Sequence, residues 1–233
     1  MQRITIAPQQ LQAGKIALTQ SQHHYLVRVL RLRDGDRFIA MDGMGKWWLS
    51  ELQGKQAQVI EPLVVKTELS VSVTLLVALP KGNAFDEVVR SCTELGVTCI
   101  VPVISDRTLL NPSGQKLERW RRIATEAAEQ SERAIVPTVL EPISFDTALS
   151  SFATFDKYIC EGRGNYPHLV SYLQYKEQKN IAIAIGCEGG WTESELEKAI
   201  LADFQPVSLG SRILRAVTAP IVALSLIAAA CEV

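Results

Sequence analysis

The sequence lacks most of the motifs that would name a chemistry at once. It has no Gly-Lys-Ser/Thr phosphate loop, no GxSxG nucleophile elbow and no CxxC pair. A triphosphate-binding loop, an α/β-hydrolase serine and a thioredoxin-like or zinc-ribbon site are therefore not expected. Only three histidines are present, and His23 and His24 have no second His or Cys pair at ligand spacing, so no metal is expected. His168 stands alone before an apolar segment, where a histidine is more often structural, and no Cys–His constellation is evident. The five cysteines (Cys92, Cys99, Cys160, Cys187 and Cys231) are odd in number, and several lie in apolar runs. Buried free thiols in a reducing compartment fit that pattern. Internal repeats and low-complexity segments are also missing. The N-terminal MQRITIAPQQ has no apolar core of a signal peptide. The most apolar segment, Pro220 to Cys231, is twelve residues long, against about twenty needed to span a bilayer. A soluble, cytoplasmic protein with a buried C-terminal helix is expected.

What is present is a globular composition: 47% hydrophobic and 21% charged residues over 233 positions, enough for one large domain or two smaller ones. The net charge of −1 conceals an asymmetry. Residues 1–66 carry nine Lys/Arg and five Asp/Glu, whereas residues 67–233 carry fifteen and twenty. A basic front end on a mildly acidic body suggests a separate anion-binding module, with nucleic acid the obvious partner, although an ordinary solvated surface has the same signature.

The rhythm of the chain changes near Val65 to Ser70. Before it, LRLRDGDRFIAMDGMGKWWLSEL places Asp-Gly and Gly-containing turns between short apolar runs, which reads as β-hairpins. HHYLVRVLR puts Leu26, Val29 and Leu30 at helical spacing for a turn or two. After it, strands expected at 71–79, 98–105, 135–140, 157–161, 181–185 and 206–209 alternate with helices at 84–95, 117–133, 167–176, 192–202 and 218–231. Such alternation predicts an α/β fold, a parallel sheet with helices on both faces. In such sheets ligands bind beyond the carboxyl ends of the strands. Three strand ends are unlike solvent loops: CEGRGN (160–165), GCEGGWTE (186–193) and LGSRILRAVTA (209–219).

In GCEGGWTESELE, Thr192 and Glu195 form a capping box that fixes the start of a helix. Gly186, Gly189 and Gly190 allow backbone to approach a flat heterocycle closely. A phosphate is disfavoured there, because Glu188 would repel it and no lysine compensates. A tight strand-to-helix turn with nothing bound is the competing reading. In LGSRILRAVTAP, Arg212 and Arg215 flank Ile213-Leu214. Two arginines in an apolar segment must reach solvent, an acid or an anionic ligand. Arg215 and Glu188 are a candidate ion pair across neighbouring strand ends. In the N-terminal part Arg28, Arg31, Arg33 and Arg37 form a candidate phosphate-contacting cluster, diluted by Asp34 and Asp36. Lys81, Arg107, Arg119, Arg121, Arg122 and Arg133 are candidates to extend it.

Five ordered blocks then carry a resemblance. HHYLVRVLRLRDGD, LPKGNAFDEVVRSCTELGV, AAEQSERAIVP, IGCEGGWTESE and LGSRILRAVTAP together resemble the bacterial 16S rRNA uracil-N3 methyltransferase family (RsmE type) of the SPOUT superfamily, over nearly the whole chain. The resemblance implies a small N-terminal PUA-like β-barrel domain (1–68) that binds RNA. It also implies a SPOUT methyltransferase domain (69–233) with a C-terminal trefoil knot, one of the rare exceptions to unknotted connections. It further implies S-adenosyl-L-methionine bound in a bent form by the knot loops, a homodimer using the last helix, and methylation of N3 of a uridine in 16S rRNA of the small ribosomal subunit. By position, Glu161, Gly162, Gly186, Glu188, Gly189, Gly190, Leu209, Gly210, Ile213 and Leu214 match the cofactor loops. Arg215 matches the motif arginine and, with Glu188, is the candidate for catalysis. Arg28, Arg31, Arg33, Lys81 and Arg133 are the candidates for RNA contact. Cys187 and Ser211 stand where the family usually has proline, and Ala216-Val217 where it usually has Thr-Glu. A polar task of that glutamate cannot be performed by Val217. The alternatives are a related methyltransferase acting on another RNA base, marked by label in other RNA, and a non-catalytic RNA-binding relic, marked by RNA binding without cofactor binding.

Overall fold

The computed structural model describes residues 1–173 and 180–232. The chain packs as two compact units, one of Met1–Glu68 with Ala128–Val136, the other of Leu69–Ala127 with Pro137–Val233.

The first unit is a six-stranded sheet. Its strands are β1 (Arg3–Thr5), β2 (Leu11–Gln12), β3 (Lys15–Ala17), β4 (Arg37–Met41), β5 (Trp47–Gln53) and β6 (Gln56–Leu63), in the order β1-β4-β5-β6-β3-β2. The expected hairpins are β4–β5 and β5–β6, joined by turns at Gly43, Gly45 and Gly54, all with positive φ. The parallel pairing of β1 with β4 is long-range and has no turn to announce it. Between β3 and β4 lies helix α1 (Gln20–His24), capped by Thr19, whose hydroxyl accepts from the Gln22 N–H. It runs into a π-helical turn over Tyr25–Val29. That turn buries Leu26 completely against Ile4, Ile6, Ile16, Phe38, Leu52 and Ala57. Val27 and Leu30 pack partly on the same cluster, whereas Val29, read as part of the apolar face of HHYLVRVLR, is exposed, as is Arg28.

The second unit contains β7 (Ser72–Ala78), α2 (Ala84–Glu94), β8 (Cys99–Ile104), α3 (Gly114–Gln130), β9 (Thr138–Val139), β10 (Ile143–Ser144), α4 (Phe145–Ser150), β11 (Asp156–Cys160), α5 (Val170–Leu173), β12 (Asn180–Ile185), α6 (Glu193–Leu201), β13 (Gln205–Val207) and α7 (Thr218–Cys231). The seven strands pair in parallel, in the order β10-β8-β7-β12-β11-β13 with β9 beside β8. The sheet's centre, β7 and β12, is apolar along its length because both faces are covered. Alternate residues (Leu76, Ala78, Val101, Val103, Ile159 and Ala184) pack against Phe145 and Leu149 of α4, Ala199 of α6 and Trp191 in the turn before α6. On the opposite face Tyr158 meets Tyr172 of α5, and α7 packs on α2 and α5.

Some expected boundaries move. The strand anticipated at 135–140 contracts to β9, since Ile135 pairs with Met44 and Pro137 has no N–H to give a ladder. Helix α3 ends at Gln130 because the chain turns at Ser131 and Glu132, the latter at φ 63°. β10 and α4 were not anticipated, although Ser144 caps α4 by accepting from the Thr147 N–H. The helix expected at 167–176 is α5 up to Leu173, and the remainder of that span lies outside the described residues. Among the described residues, no helix is long and apolar enough to cross a membrane.

Candidate active site

The strand order sets β12, β11 and β13 side by side, and all three run parallel. Their following loops therefore leave the same edge of the sheet. The three loops singled out in the sequence meet there and form a cleft open to solvent. Cys160 ends β11, and Glu161, Gly162 and Arg163 come from the loop after it. Gly186, Cys187, Glu188 and Gly190 follow β12, and Leu209, Gly210, Arg212, Ile213, Leu214, Ala216 and Ala219 follow β13.

Each loop is held by a small number of bonds. The Glu161 N–H donates to the Val207 carbonyl, and the Glu161 carboxylate accepts from the Arg163 N–H at 2.7 Å. The Trp191 indole donates to the Cys160 carbonyl at 3.2 Å, tying the second loop to the first. Gly190 closes a turn by donating to the Cys187 carbonyl and sits at φ 69°. A Cβ on Gly186 would lie 3.2 Å from Gly190 backbone, and one on Gly162 would lie 3.0 Å from the Ile213 side chain. Glycine at these two places keeps the cleft open. The Ser208 hydroxyl accepts from the Gly210 N–H, and Gly210 takes φ 117°. Among the described residues, the backbone groups of Leu209, Ile213 and Leu214 make no intramolecular hydrogen bond. The cleft thus offers free backbone donors and acceptors beside apolar side chains, the composition of a site for a flat heterocycle. Burial, with the Glu161 charge as a smaller contribution, pushes the Cys160 thiol well above its ordinary range and keeps it protonated.

The capping box read from the sequence is present. The Thr192 hydroxyl accepts from the Glu195 N–H, and Glu195 accepts from the Thr192 N–H. Glu195 is 2% exposed and also accepts from the Asp106 N–H at 2.8 Å, so it joins the loop after β8 to the start of α6.

The structure brings together Glu161, Gly162, Gly186, Glu188, Gly190, Leu209, Gly210, Ile213 and Leu214, but not every residue singled out. Gly189 lies off the cleft wall. Its carbonyl accepts from the Arg107 guanidinium at 2.6 Å, and a Cβ there would strike the Arg107 side chain at 2.9 Å. Arg215 is exposed and outside the lining, between Leu214 and Ala216. Among the described residues it forms no ion pair with Glu188, which accepts instead from the Lys81 N–H at 3.0 Å. Arg28, Arg31, Arg33 and Lys81 are exposed. Arg133 does not extend that basic surface. It is 3% exposed, its guanidinium is ion-paired with Glu68, and a cation buried in this way has no face for a phosphate. Arg119 is bound to Asp86 and Arg121 to Glu118 and Glu141. The placement of Arg163 and Arg212 in the cleft was not read from the sequence. Both lie in loops already quoted, but only the strand order shows that those loops share a wall.

An α/β unit with a backbone-lined cleft at the carboxyl edge of its parallel sheet is a ligand-binding domain of the nucleotide-like-cofactor class. Residues 67–228 match the model of the RNA methyltransferase domain, and residues 18–61 that of the RNA methyltransferase PUA domain. The chain is similar to the Ribosomal RNA small subunit methyltransferase E of Synechocystis sp., at 48% identity over 99% of this chain and 78% of the relative. It is also similar to the protein of the same name from Bacillus subtilis, at 33% identity over 97% and 96%. A crystal structure of a Ribosomal RNA small subunit methyltransferase E from Neisseria gonorrhoeae, bound to S-adenosyl methionine, superposes with a TM-score of 0.88 at 32% identity, covering 97% of this chain and 95% of that one. The chain belongs to this RNA methyltransferase family.

Proposed function

We propose that this protein is an S-adenosyl-L-methionine-dependent methyltransferase that methylates N3 of a uridine in 16S rRNA of the small ribosomal subunit, acting in the cytoplasm. The observation that carries the proposal is the cleft formed by the loops after β11, β12 and β13. Its fit to an adenosyl cofactor rests on three features. Backbone groups of Leu209, Ile213 and Leu214 are unspent. Gly162 and Gly186 leave room that a Cβ would fill. Glu161 and Glu188 line the cleft, and carboxylates are compatible with a cationic sulfonium.

In this reading Leu209, Gly210, Ile213 and Leu214 hold the base with Gly186 and Gly190, while Glu161 and Gly162 face the ribose. Bound S-adenosylmethionine would supply an electrophilic methyl group. The uridine must be unpaired or flipped out, because N3 lies on its pairing edge. N3 carries a proton, and positive charge near the uracil carbonyls favours its loss. Arg215, exposed between two residues of the cleft wall, is proposed for that task, and Glu188 to orient it or the cofactor. Residues 1–68 are proposed as a PUA-like barrel that grips RNA through Arg28, Arg31 and Arg33, and Lys81 adds a contact from 69–233. The loops of 69–233 are proposed to thread as a trefoil knot. In support, Leu169 and Ser208 lie hydrogen-bonded side by side, so the chain after β13 runs along the loop after β11. A homodimer through α7 is proposed from its partly exposed apolar surface.

The test is incubation with methyl-labelled S-adenosylmethionine and unmodified small ribosomal subunits, followed by digestion and identification of the labelled nucleoside. Label in N3-methyluridine is the expected result. Label elsewhere would discard the N3 assignment. Val217, apolar where the family usually has glutamate, is the ground for one rival, the non-catalytic relic. Absence of both label and cofactor binding would select it.

A further inference from the structure

The geometry points to Arg163 and Arg212 as the pair that receives the backbone phosphate of the target nucleotide. This assignment rests on the methyltransferase reading and adds the substrate-anchoring groups of the same cleft. Both side chains line the cleft, one from the loop after β11 and one from the loop after β13, which are neighbouring strands. Both residues are exposed, and among the described residues neither guanidinium has an ion-pair partner.

The acids of the cleft are engaged elsewhere. Glu161 accepts from the backbone N–H of Arg163, not from its guanidinium, and Glu188 accepts from the Lys81 N–H. The first of these bonds also fixes the backbone from which the Arg163 side chain springs. Its Nη1 lies 3.6 Å from where a Cβ on Gly190 would be, so the guanidinium rests against the glycine turn at the cleft wall. An arginine fork without an internal partner is suited to phosphate, which it can bind through two parallel hydrogen bonds. A base delivered to this cleft carries its own phosphate to the rim, where two such forks on separate loops would fix the nucleotide's orientation. The other anion that could meet them is the carboxylate of the cofactor, and the two sources are separable by measurement.

The experiment uses full-length protein with the variants Arg163→Gln, Arg212→Gln and the charge-keeping Arg163→Lys. RNA affinity is read by filter binding to an unmodified small-subunit rRNA transcript over a range of salt, cofactor affinity by calorimetry with S-adenosylmethionine, and transfer with labelled cofactor. Each Gln variant is expected to weaken RNA binding by roughly tenfold. Each should also reduce the salt slope by about 0.7 for a phosphate lost on single-stranded RNA. Cofactor affinity should stay unchanged, and Arg163→Lys should recover most of the salt slope. Weakened cofactor binding with normal RNA binding would overturn the assignment in favour of the carboxylate, and unchanged affinities for both would overturn it outright. Because RNA affinity is read without turnover, a wild-type protein that transfers no methyl group would sink the methyltransferase reading separately.

Discussion

At the scale of single residues, the glycines of the cleft make the sharpest claims. Gly186→Ala puts a Cβ 3.2 Å from Gly190 backbone, so the turn after β12 must shift. We expect cofactor affinity to fall by at least about tenfold by calorimetry, since small misplacements of a positioned site are costly. Arg215→Ala is expected to lower turnover with little change in RNA affinity, if its charge acts on the uracil. Full turnover with normal RNA affinity would refute the electrostatic role. Arg133 tests the opposite situation, a charge that serves the fold. Glu68 accepts from the Arg133 guanidinium and also from the Ala134 and Ile135 N–H groups. Glu68→Ala would remove the carboxylate that pairs with a nearly buried cation and accepts from the Ile135 N–H, a loss of about 3 kcal/mol. Chemical denaturation should show it. A fully stable Glu68→Ala protein would return Arg133 to the list of candidate RNA contacts.

At the scale of elements, the loops are reliable because the helices and strands that bear them are strongly specified. β7, β8, β11 and β12 were legible as apolar runs, and α2 and α6 by their spacing and stops. The Thr192–Glu195 box does more than begin α6, since Glu195 also holds the Asp106 N–H. Thr192→Ala should cost about 1 kcal/mol, as for other lost N-caps. Glu195→Ala should cost more, because it leaves two backbone donors without their acceptor, and thermal melts of the two variants will rank them. The elements that sequence reading missed are short. β1 and β10 have two or three residues each, and their existence depends on long-range parallel pairing with β4 and β8. Periodicity over so few positions carries no signal.

At the scale of the whole molecule, burial of thiols links stability to pH. Burial raises the Cys99 thiol from 9.0 to about 11. The unfolded chain therefore releases this proton first, and stability present below pH 9 is lost as the pH rises toward about 11. The melting temperature should decline across that window more steeply in the wild type than in Cys99→Ala. Equal slopes would refute the linkage.

Taken by itself, the sequence determined the class of the chain. Periodicity, capping and glycine placement yielded an alternating α/β unit behind a β-rich module, and five ordered blocks pointed to the family. It also located the three loops, because glycine and arginine within apolar segments are unusual there. Tertiary structure decided which members of those loops face one another. The order β12-β11-β13 is a non-local arrangement that sets Arg163 and Arg212 on one cleft, while the loop after β8 brings Arg107 to Gly189. The same holds for charge. A sequence counts Arg133 among its cations, but only packing shows that Glu68 has already claimed it, because burial and pairing depend on residues far apart in the chain.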